Sequence, residues 1–185
     1  MGGEGGTANE NIVTITNSTV NLNSNNNDPY YNLTGGVAYS DVAKDNKVII
    51  TDSTIIGNVY GAYIYNNNGQ LAIDNNITIT GSSDITNANL YGYGTNSDAT
   101  GSKNTLTLNG WSGNTQSVQN FNVINFENIK WNNGGIVLNI TANNKTNALS
   151  NTNINLNSLN FAGGAEINAG ESMYIINGKD LGIGT

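Results

Sequence analysis

Acidic side chains are the residues of this sequence best suited to catalysis. Glycoside hydrolysis needs only two carboxylates that flank one bond, and the candidates are Asp41, Asp45 and Asp52, or Asp84 with Asp98. The alternative is a set of solvated acids in turns, where Asp is common. We favour the turn interpretation.

Missing residue types exclude several kinds of site. The 185 residues include six lysines but no Arg, His or Cys. A nucleophilic triad lacks its usual base without His, and zinc sites built on His or Cys are excluded. Ser24–Pro29 and Thr95–Gly101 offer oxygen ligands for calcium, but neither matches an EF-hand, so we interpret them as Asx turns. We expect no enzymatic activity, no metal and no cofactor.

Charge is scarce in this chain. Charged residues make up 10% of it, and the formal net charge is −7. The lysines are scattered, whereas binding to nucleic acid needs clustered Lys or Arg. We therefore expect no nucleic-acid partner. No apolar run reaches the roughly 18 residues of a membrane-spanning helix.

Tyrosines form the strongest candidate for a binding surface. The candidate ligand-binding residues are Tyr60, Tyr63, Tyr65, Tyr91 and Tyr93. A lateral surface lined by tyrosines would stack on sugar rings or pack on a partner protein. The alternative, which we favour, is an aromatic ladder that only stabilises the protein.

Four segments of the chain repeat one pattern. They are Val13–Thr19, Val48–Thr54, Ile77–Ser83 and Leu106–Ser112, and their starts lie 35, 29 and 29 residues apart. The first and third residues are aliphatic, which is typical of a strand with one buried face. The fifth residue is Asn, Asp or Gly, which favours a turn.

Other segments are strand-like, and none has a helical periodicity. A second repeated element combines an aliphatic residue with tyrosine and small residues in Gly35–Ser40, Gly57–Tyr63 and Asn87–Gly94. Further apolar runs cover Phe121–Trp131, Gly135–Thr141, Ile154–Phe161 and Met173–Asn177. Phe121 and Phe126 are predicted core residues, and the segment between Trp111 and Trp131 has no clear alignment with the repeat. The chain is predicted to be all-β.

Strands that recur about every 30 residues are typical of a β-solenoid, and we predict about six windings. A β-sandwich or jelly roll is the alternative, but it does not require the same residue type at the same place in successive repeats. In a solenoid, equivalent side chains lie about 4.8 Å apart. Like charges repel at that distance, whereas Asn amides hydrogen-bond to one another in ladders. Low charge and abundant Asn then have one cause.

The motifs resemble those of a known family. Gly57–Tyr63 (GNVYGAY), the Asn-rich V-T-I-T strands and the segment Asn104–Trp131 are similar to passenger domains of bacterial type V autotransporters. Asn168–Gly178 is similar to an aliphatic strand that follows a turn in such passengers. The resemblance implies a right-handed parallel β-helix that is exported across the outer membrane through a C-terminal β-barrel outside this chain.

The resemblance also sets the functional expectation. We interpret residues 1–10 as a vector- or linker-like segment and residues 11–185 as a single β-solenoid passenger fragment. We expect a non-enzymatic structural stalk and adhesin on the bacterial surface, with a host or bacterial cell-surface protein or glycan as its partner. End-to-end self-association is a further expectation, because uncapped solenoid ends expose unpaired strands. The alternatives are a polysaccharide-acting β-helix enzyme and a tail-spike-like structural element.

Overall fold

The computed structural model confirms the prediction of an all-β chain. It describes residues 2–22, 31–39, 41–65, 71–95, 100–142, 148–161 and 166–183. Every pair of strands in these ranges is parallel. The same ranges contain no helix with the length and apolar character needed to cross a membrane.

The strands are short in most of the chain and long in two places. In chain order they are β1 (Gly3–Gly5), β2 (Ala8–Asn9), β3 (Ile12–Thr16), β4 (Thr19–Asn21), β5 (Leu33–Thr34), β6 (Gly36–Ala38), β7 (Val42–Lys44), β8 (Lys47–Thr51), β9 (Thr54–Ile64), β10 (Leu71–Ile73), β11 (Asn76–Thr80), β12 (Asp84–Thr95), β13 (Thr100–Ser102), β14 (Thr105–Asn109), β15 (Gly113–Thr115), β16 (Ser117–Gln119), β17 (Val123–Glu127), β18 (Ile129–Lys130), β19 (Ile136–Ile140), β20 (Asn153–Leu156), β21 (Leu159–Asn160) and β22 (Tyr174–Asn177).

The four repeated segments pair in register in one sheet, which we call the aliphatic sheet. Its strand order is β20-β17-β14-β11-β8-β3. Val48 pairs with Ile77, and Ile77 pairs with Leu106, so the first aliphatic positions of the repeat lie side by side. The third positions do the same from Ile15 to Leu108. In β8, β11 and β14 the aliphatic residues at the first and third positions of the repeat are fully buried, and each contributes about 1.5–3 kcal/mol relative to an exposed position.

Two more sheets stand beside the aliphatic sheet. The tyrosine sheet has the order β1-β6-β9-β12-β16, and β4 and β5 also pair with β9. The alanine sheet has the order β13-β10-β7-β2, and stacks Ala8, Ala43 and Ala72 in register. Two smaller sheets, β15-β19-β22 and β18-β21, hold the five remaining strands of the described residues.

The turn that follows each repeated strand has the predicted chemistry. The fifth residue has a positive φ in all four repeats: 49° at Asn17, 48° at Asp52, 67° at Gly81 and 64° at Gly110. Asn, Asp and Gly adopt this left-handed conformation at the least cost. The sequence therefore specifies both the strand and the point where the chain turns out of it.

A column of asparagines runs along the start of the aliphatic sheet, and we call it the asparagine ladder. It comprises Asn11, Asn46, Asn75, Asn104 and Asn122, each one residue before a strand. Side-chain Nδ2 atoms donate to the next Oδ1 at 2.8 Å from Asn11 to Asn46 and at 2.9 Å from Asn46 to Asn75. The column continues from Asn75 to Asn104 at 2.9 Å. At the far end, the backbone N–H of Asn104 donates to Oδ1 of Asn122 at 3.0 Å.

The hydrogen-bonding capacity of the middle amides is fully used. Oδ1 of Asn75 accepts from the backbone N–H and from Nδ2 of Asn46. Nδ2 of Asn75 donates to Oδ1 of Asn104 and to the carbonyl oxygen of Ala43. Asn46 makes the equivalent four bonds, and because Asn46 and Asn75 are fully buried, these bonds replace the water that the two amides lose. The expected Asn ladder is confirmed.

The N-terminal segment belongs to the sheets. Residues 1–10 were interpreted as a vector- or linker-like segment; within them, β1 pairs with β6 and β2 pairs with β7. Ala8 is buried at the edge of the alanine sheet. Gly3 and Gly5 pair with Gly36 and Ala38, and Ala8 pairs with Ala43, so small residues of this segment lie beside small residues of the following strands.

The repeat changes after β14. Successive members of the asparagine ladder are 35, 29 and 29 residues apart, but Asn104 and Asn122 are only 18 apart. Over this shorter interval the alanine sheet ends at β13, and the tyrosine sheet ends at the three residues of β16. The predicted core residues Phe121 and Phe126 are buried here, as expected. The aliphatic sheet continues through this change without interruption.

A charge in the asparagine ladder should destabilise the protein strongly. We expect Asn75→Asp to lower the free energy of unfolding by about 3 kcal/mol or more at pH 7, because a buried carboxylate cannot donate to Ala43 and Asn104. The loss should shrink as the pH falls from 7 and be smallest below about pH 4, where the carboxyl is protonated in both states and can donate again. Urea denaturation at both pH values measures the effect.

Asn155→Asp is the matched control. Nδ2 of Asn155 donates to Oδ1 of Asn125 at 3.0 Å, but this pair is exposed. We expect a loss below about 1 kcal/mol, because water replaces the lost partner. Equal losses in the two variants would contradict a structural role for the buried column.

Candidate functional site

Tyrosines cluster on the tyrosine sheet. The rings of Tyr60 and Tyr91, which are paired in register, stack with centroids 4.8 Å apart and an angle of 16° between their planes. Tyr63 meets Tyr60 edge to face at 5.4 Å and 89°. Such pairs contribute about 0.5–1.5 kcal/mol beyond their buried area. This part of the surface is therefore held in one arrangement by ring contacts.

A groove of about 560 Å³ lies beside these rings. Its walls include Tyr60, Tyr63, Tyr91 and Tyr93. Gly94, Thr95 and Asn120 complete the lining among the described residues. The volume is in the range of pockets that bind small molecules.

The groove exists because neighbouring strands differ in length. β12 has twelve residues, whereas β16, the next strand of the tyrosine sheet, has three. The pairing of β16 covers only Asn89, Leu90 and Tyr91 of β12. The chain then turns away at Asn120, which has a φ of 60°. We call the place where β16 ends while β12 continues the step, and the groove lies there.

Two residues of the step shape the groove without aromatic rings. Nδ2 of Asn120 donates to the backbone oxygen of Tyr93 at 2.9 Å, so a side chain bonds to β12 just beyond the end of its pairing with β16. A Cβ at Gly94 would lie 2.5 Å from Cε1 of Tyr60 and 2.6 Å from Cδ2 of Tyr63. Glycine at this position therefore lets both rings approach the backbone of β12 closely.

Burial keeps the tyrosine hydroxyls of the groove protonated. Loss of solvent raises the pKa of Tyr60 far above its ordinary value of about 10, and the nearby Tyr91 and Tyr63 add to the shift. Burial also raises the pKa of Tyr91, partly offset by a hydrogen bond with Ser117. It raises the pKa of Tyr93 as well, partly offset by a backbone hydrogen bond at Gly101. These hydroxyls remain neutral donors over the whole physiological pH range.

The structure brings together four of the five tyrosines named from the sequence. Tyr60 and Tyr63 are buried, with 5% and 2% of their surface exposed, while Tyr91 and Tyr93 are half-buried. Tyr65 instead stacks on Tyr39 at 5.1 Å and does not line the groove. The ring stacks are those of an aromatic ladder, and Tyr91 and Tyr93 are the tyrosines most open to a ligand.

The groove itself was not predicted from the sequence, and neither were Gly94, Thr95 and Asn120. The available signal was the break in repeat length between Trp111 and Trp131. Buried Trp111 donates its Nε1 to the carbonyl oxygen of Ser83 at 2.7 Å and so ties the shorter repeat to the preceding one.

The candidate acids serve in turns. The Asp52 carboxylate accepts a hydrogen bond from the backbone N–H of Ser82 at 2.8 Å. Asp84 accepts from the N–H of Thr86 at 3.0 Å, and this bond lowers the pKa of Asp84. Asp45 pairs with Lys44 at 3.2 Å, and Asp41 is exposed. Asp98 and Ser24–Pro29 lie outside the described residues, as does most of Thr95–Gly101.

Outside the groove, the described residues line another cavity but form no cluster of metal ligands. They contain no group of three or more acidic side chains placed to hold a metal ion. A second cavity of about 380 Å³ is lined by Glu10, Ile12, Asp45 and Lys47 near the edge strand β3. Its lysine and its two acids carry opposite charges, whereas the described lining of the groove at the step has no charged side chain.

Comparisons with known proteins give no match: no family model, no curated protein and no solved structure is similar to this chain at a significant level. The similarity of its motifs to autotransporter passengers therefore stays a prediction from sequence. The case for a function rests on the geometry of the groove and of the stack that carries it.

Tyrosine ionisation should make the protein unstable in alkali. The folded-state pKa of Tyr60 is raised, so its contribution is fully present below the unfolded pKa of about 10 and is lost as the pH rises further. We expect the free energy of unfolding to fall above pH 10, and to fall less steeply in Tyr60→Phe. Chemical denaturation between about pH 8 and 11 measures both slopes.

Tyr174→Phe is the control, because Tyr174 is 59% exposed. It should leave the alkaline slope unchanged. A Tyr60→Phe variant with the same slope as the parent protein would contradict the burial of the Tyr60 hydroxyl.

Proposed function

We propose that this chain is a right-handed parallel β-helix of about six windings from the passenger domain of a bacterial type V autotransporter. Three observations support the proposal. The strands are parallel throughout the described residues, six of them pair in register in the aliphatic sheet, and the asparagine ladder follows the same order. The similarity of the GNVYGAY element to passenger repeats supplies the family.

We further propose that the chain acts as a non-enzymatic stalk and adhesin at the bacterial surface. The groove at the step in the stack is the observation that carries this proposal. It combines aromatic rings with uncharged polar groups in a volume of about 560 Å³, on a scaffold fixed by buried hydrogen bonds. Its ligand is a host or bacterial cell-surface protein or glycan.

The alternative of a polysaccharide-acting enzyme has less support. Two catalytic carboxylates must converge on one bond. Among the described residues that line the groove at the step, none is acidic. The candidate acids Asp52 and Asp84 are engaged in turns instead.

Tyr93→Ala should reduce adhesion. Beads coated with the protein are allowed to settle on cultured epithelial cells and on bacterial cells, and are then washed under flow. We expect the parent protein to retain beads on one of these surfaces. We expect Tyr93→Ala to weaken retention about tenfold, because it removes an aromatic wall of the groove.

Tyr174→Ala is the matched control. It removes a tyrosine that is exposed and does not line the groove, so retention should be unchanged. Parent protein that adheres no better than an unrelated acidic protein would refute the adhesin proposal. An equal loss of retention in both variants would show that the binding surface lies outside the groove.

A further inference from the structure

We infer that the groove at the step binds an uncharged sugar ring of a glycan chain. This inference rests on the proposed adhesive function and narrows the ligand to one chemical class. Three features carry it: the absence of charged side chains among the described lining residues, the state of the tyrosine rings, and the packing that supports Tyr93.

The lining selects against charged ligands. Among the described lining residues there is no Lys, Asp or Glu; the polar groups are tyrosine and threonine hydroxyls and the amide of Asn120. A sialic acid, a uronic acid or a sulfate would lose its hydration without gaining a cationic partner. The net charge of −7 adds a long-range repulsion against such anions. A neutral polyol has no ionic hydration to lose and is not repelled by the net charge.

The tyrosine rings are not arranged as a cage for a cation. A quaternary ammonium needs open ring faces around it. One face of Tyr60 is already covered by Tyr91 at 4.8 Å, and the Tyr63 ring packs against Tyr60 edge to face. Tyr60 and Tyr63 are buried, so the half-buried Tyr91 and Tyr93 are the rings with surface to offer. This leaves a small aromatic surface beside hydroxyl groups, which suits the apolar face and the hydroxyls of a sugar ring.

The packing of Tyr93 fixes its ring at the edge of the groove. The groove lies beyond the end of β16, and the alanine sheet ends beside it at β13. Tyr93 packs against the alanine cluster, and a Cβ at Gly101 of β13 would overlap the Tyr93 ring. Tyr93 is therefore held from behind by small residues while it faces the groove. A ring fixed in this way binds without a large loss of side-chain freedom.

The test is a glycan array with neutral, sialylated, sulfated and uronic-acid glycans of matched core structures, together with choline as a cationic probe in solution. We expect the parent protein to retain neutral glycans. Binding should change less than about twofold between 50 and 500 mM salt, because no ion pair is formed. Retention of anionic glycans only, retention of no glycan, or a preference for choline would each overturn the inference.

Three variants locate the site. Tyr93→Ala should weaken neutral-glycan binding about tenfold, and Tyr93→Phe should weaken it less, because the ring remains. Thr95→Lys places a cation at the groove, so it should lower binding to neutral glycans and raise binding to the sialylated counterparts. Urea denaturation confirms that each variant is folded. Unchanged neutral-glycan binding in folded Tyr93→Ala and Thr95→Lys would place the sugar elsewhere and overturn the inference.

The failures of the two proposals are distinguishable. If beads adhere to cells through Tyr93 but no neutral glycan is retained, and periodate oxidation of the cell-surface sugars leaves adhesion intact, the ligand is a protein and only the sugar inference falls. If neither cells nor glycans are bound, both the adhesive function and the sugar inference are wrong.

Discussion

The register of the stack is the constraint on which the rest of this protein depends. Each repeat places an amide one residue before its strand, so that Asn46, Asn75 and Asn104 lie in one buried column. A one-residue slip in any strand would break that column and turn the aliphatic residues away from the core. Burial of apolar side chains stabilises the stack, and the polar column fixes which residues lie side by side. The same spacing explains why neutral amides occur where charges would repel one another.

Much of the repeating part could be predicted from the sequence, because it obeys one periodic rule. The alternation in Val48–Ile50 and Ile77–Ile79 predicted the strands and their register. The Asn, Asp and Gly residues after them predicted the turns. The members of the asparagine ladder could not be chosen in advance, because Asn is abundant everywhere and only the register shows which side chains meet. The register of the second repeated element was harder to predict. Val37 pairs with Tyr63, and Val59 has Leu33 as its partner, because the alignment of small residues allowed more than one offset.

The candidate site was predictable only in its residue types. Tyrosines were expected to form a ladder or a binding surface, and Tyr60 does stack on Tyr91. The separation of Tyr65 from the groove depends on its contact with Tyr39, which no local pattern indicates. The groove lies where the pairing of β16 with β12 ends at Tyr91, and a periodic pattern predicts where strands recur but not where one of them ends. The polar and aromatic chemistry of the site is thus encoded locally, whereas its shape is encoded in the length of a neighbouring repeat.

The shortened repeat has a consequence for how such a protein can change. Going from an interval of 29 residues to one of 18 leaves the aliphatic sheet continuous, and a backbone hydrogen bond still joins Asn104 to Asn122, yet a cavity opens on the side of the molecule. Deletions and insertions in the outer part of a repeat can therefore create, resize or remove cavities while the aliphatic sheet keeps its pairing. Diversity among chains built in this way would be found in the lengths of their repeats before it is found in their cores.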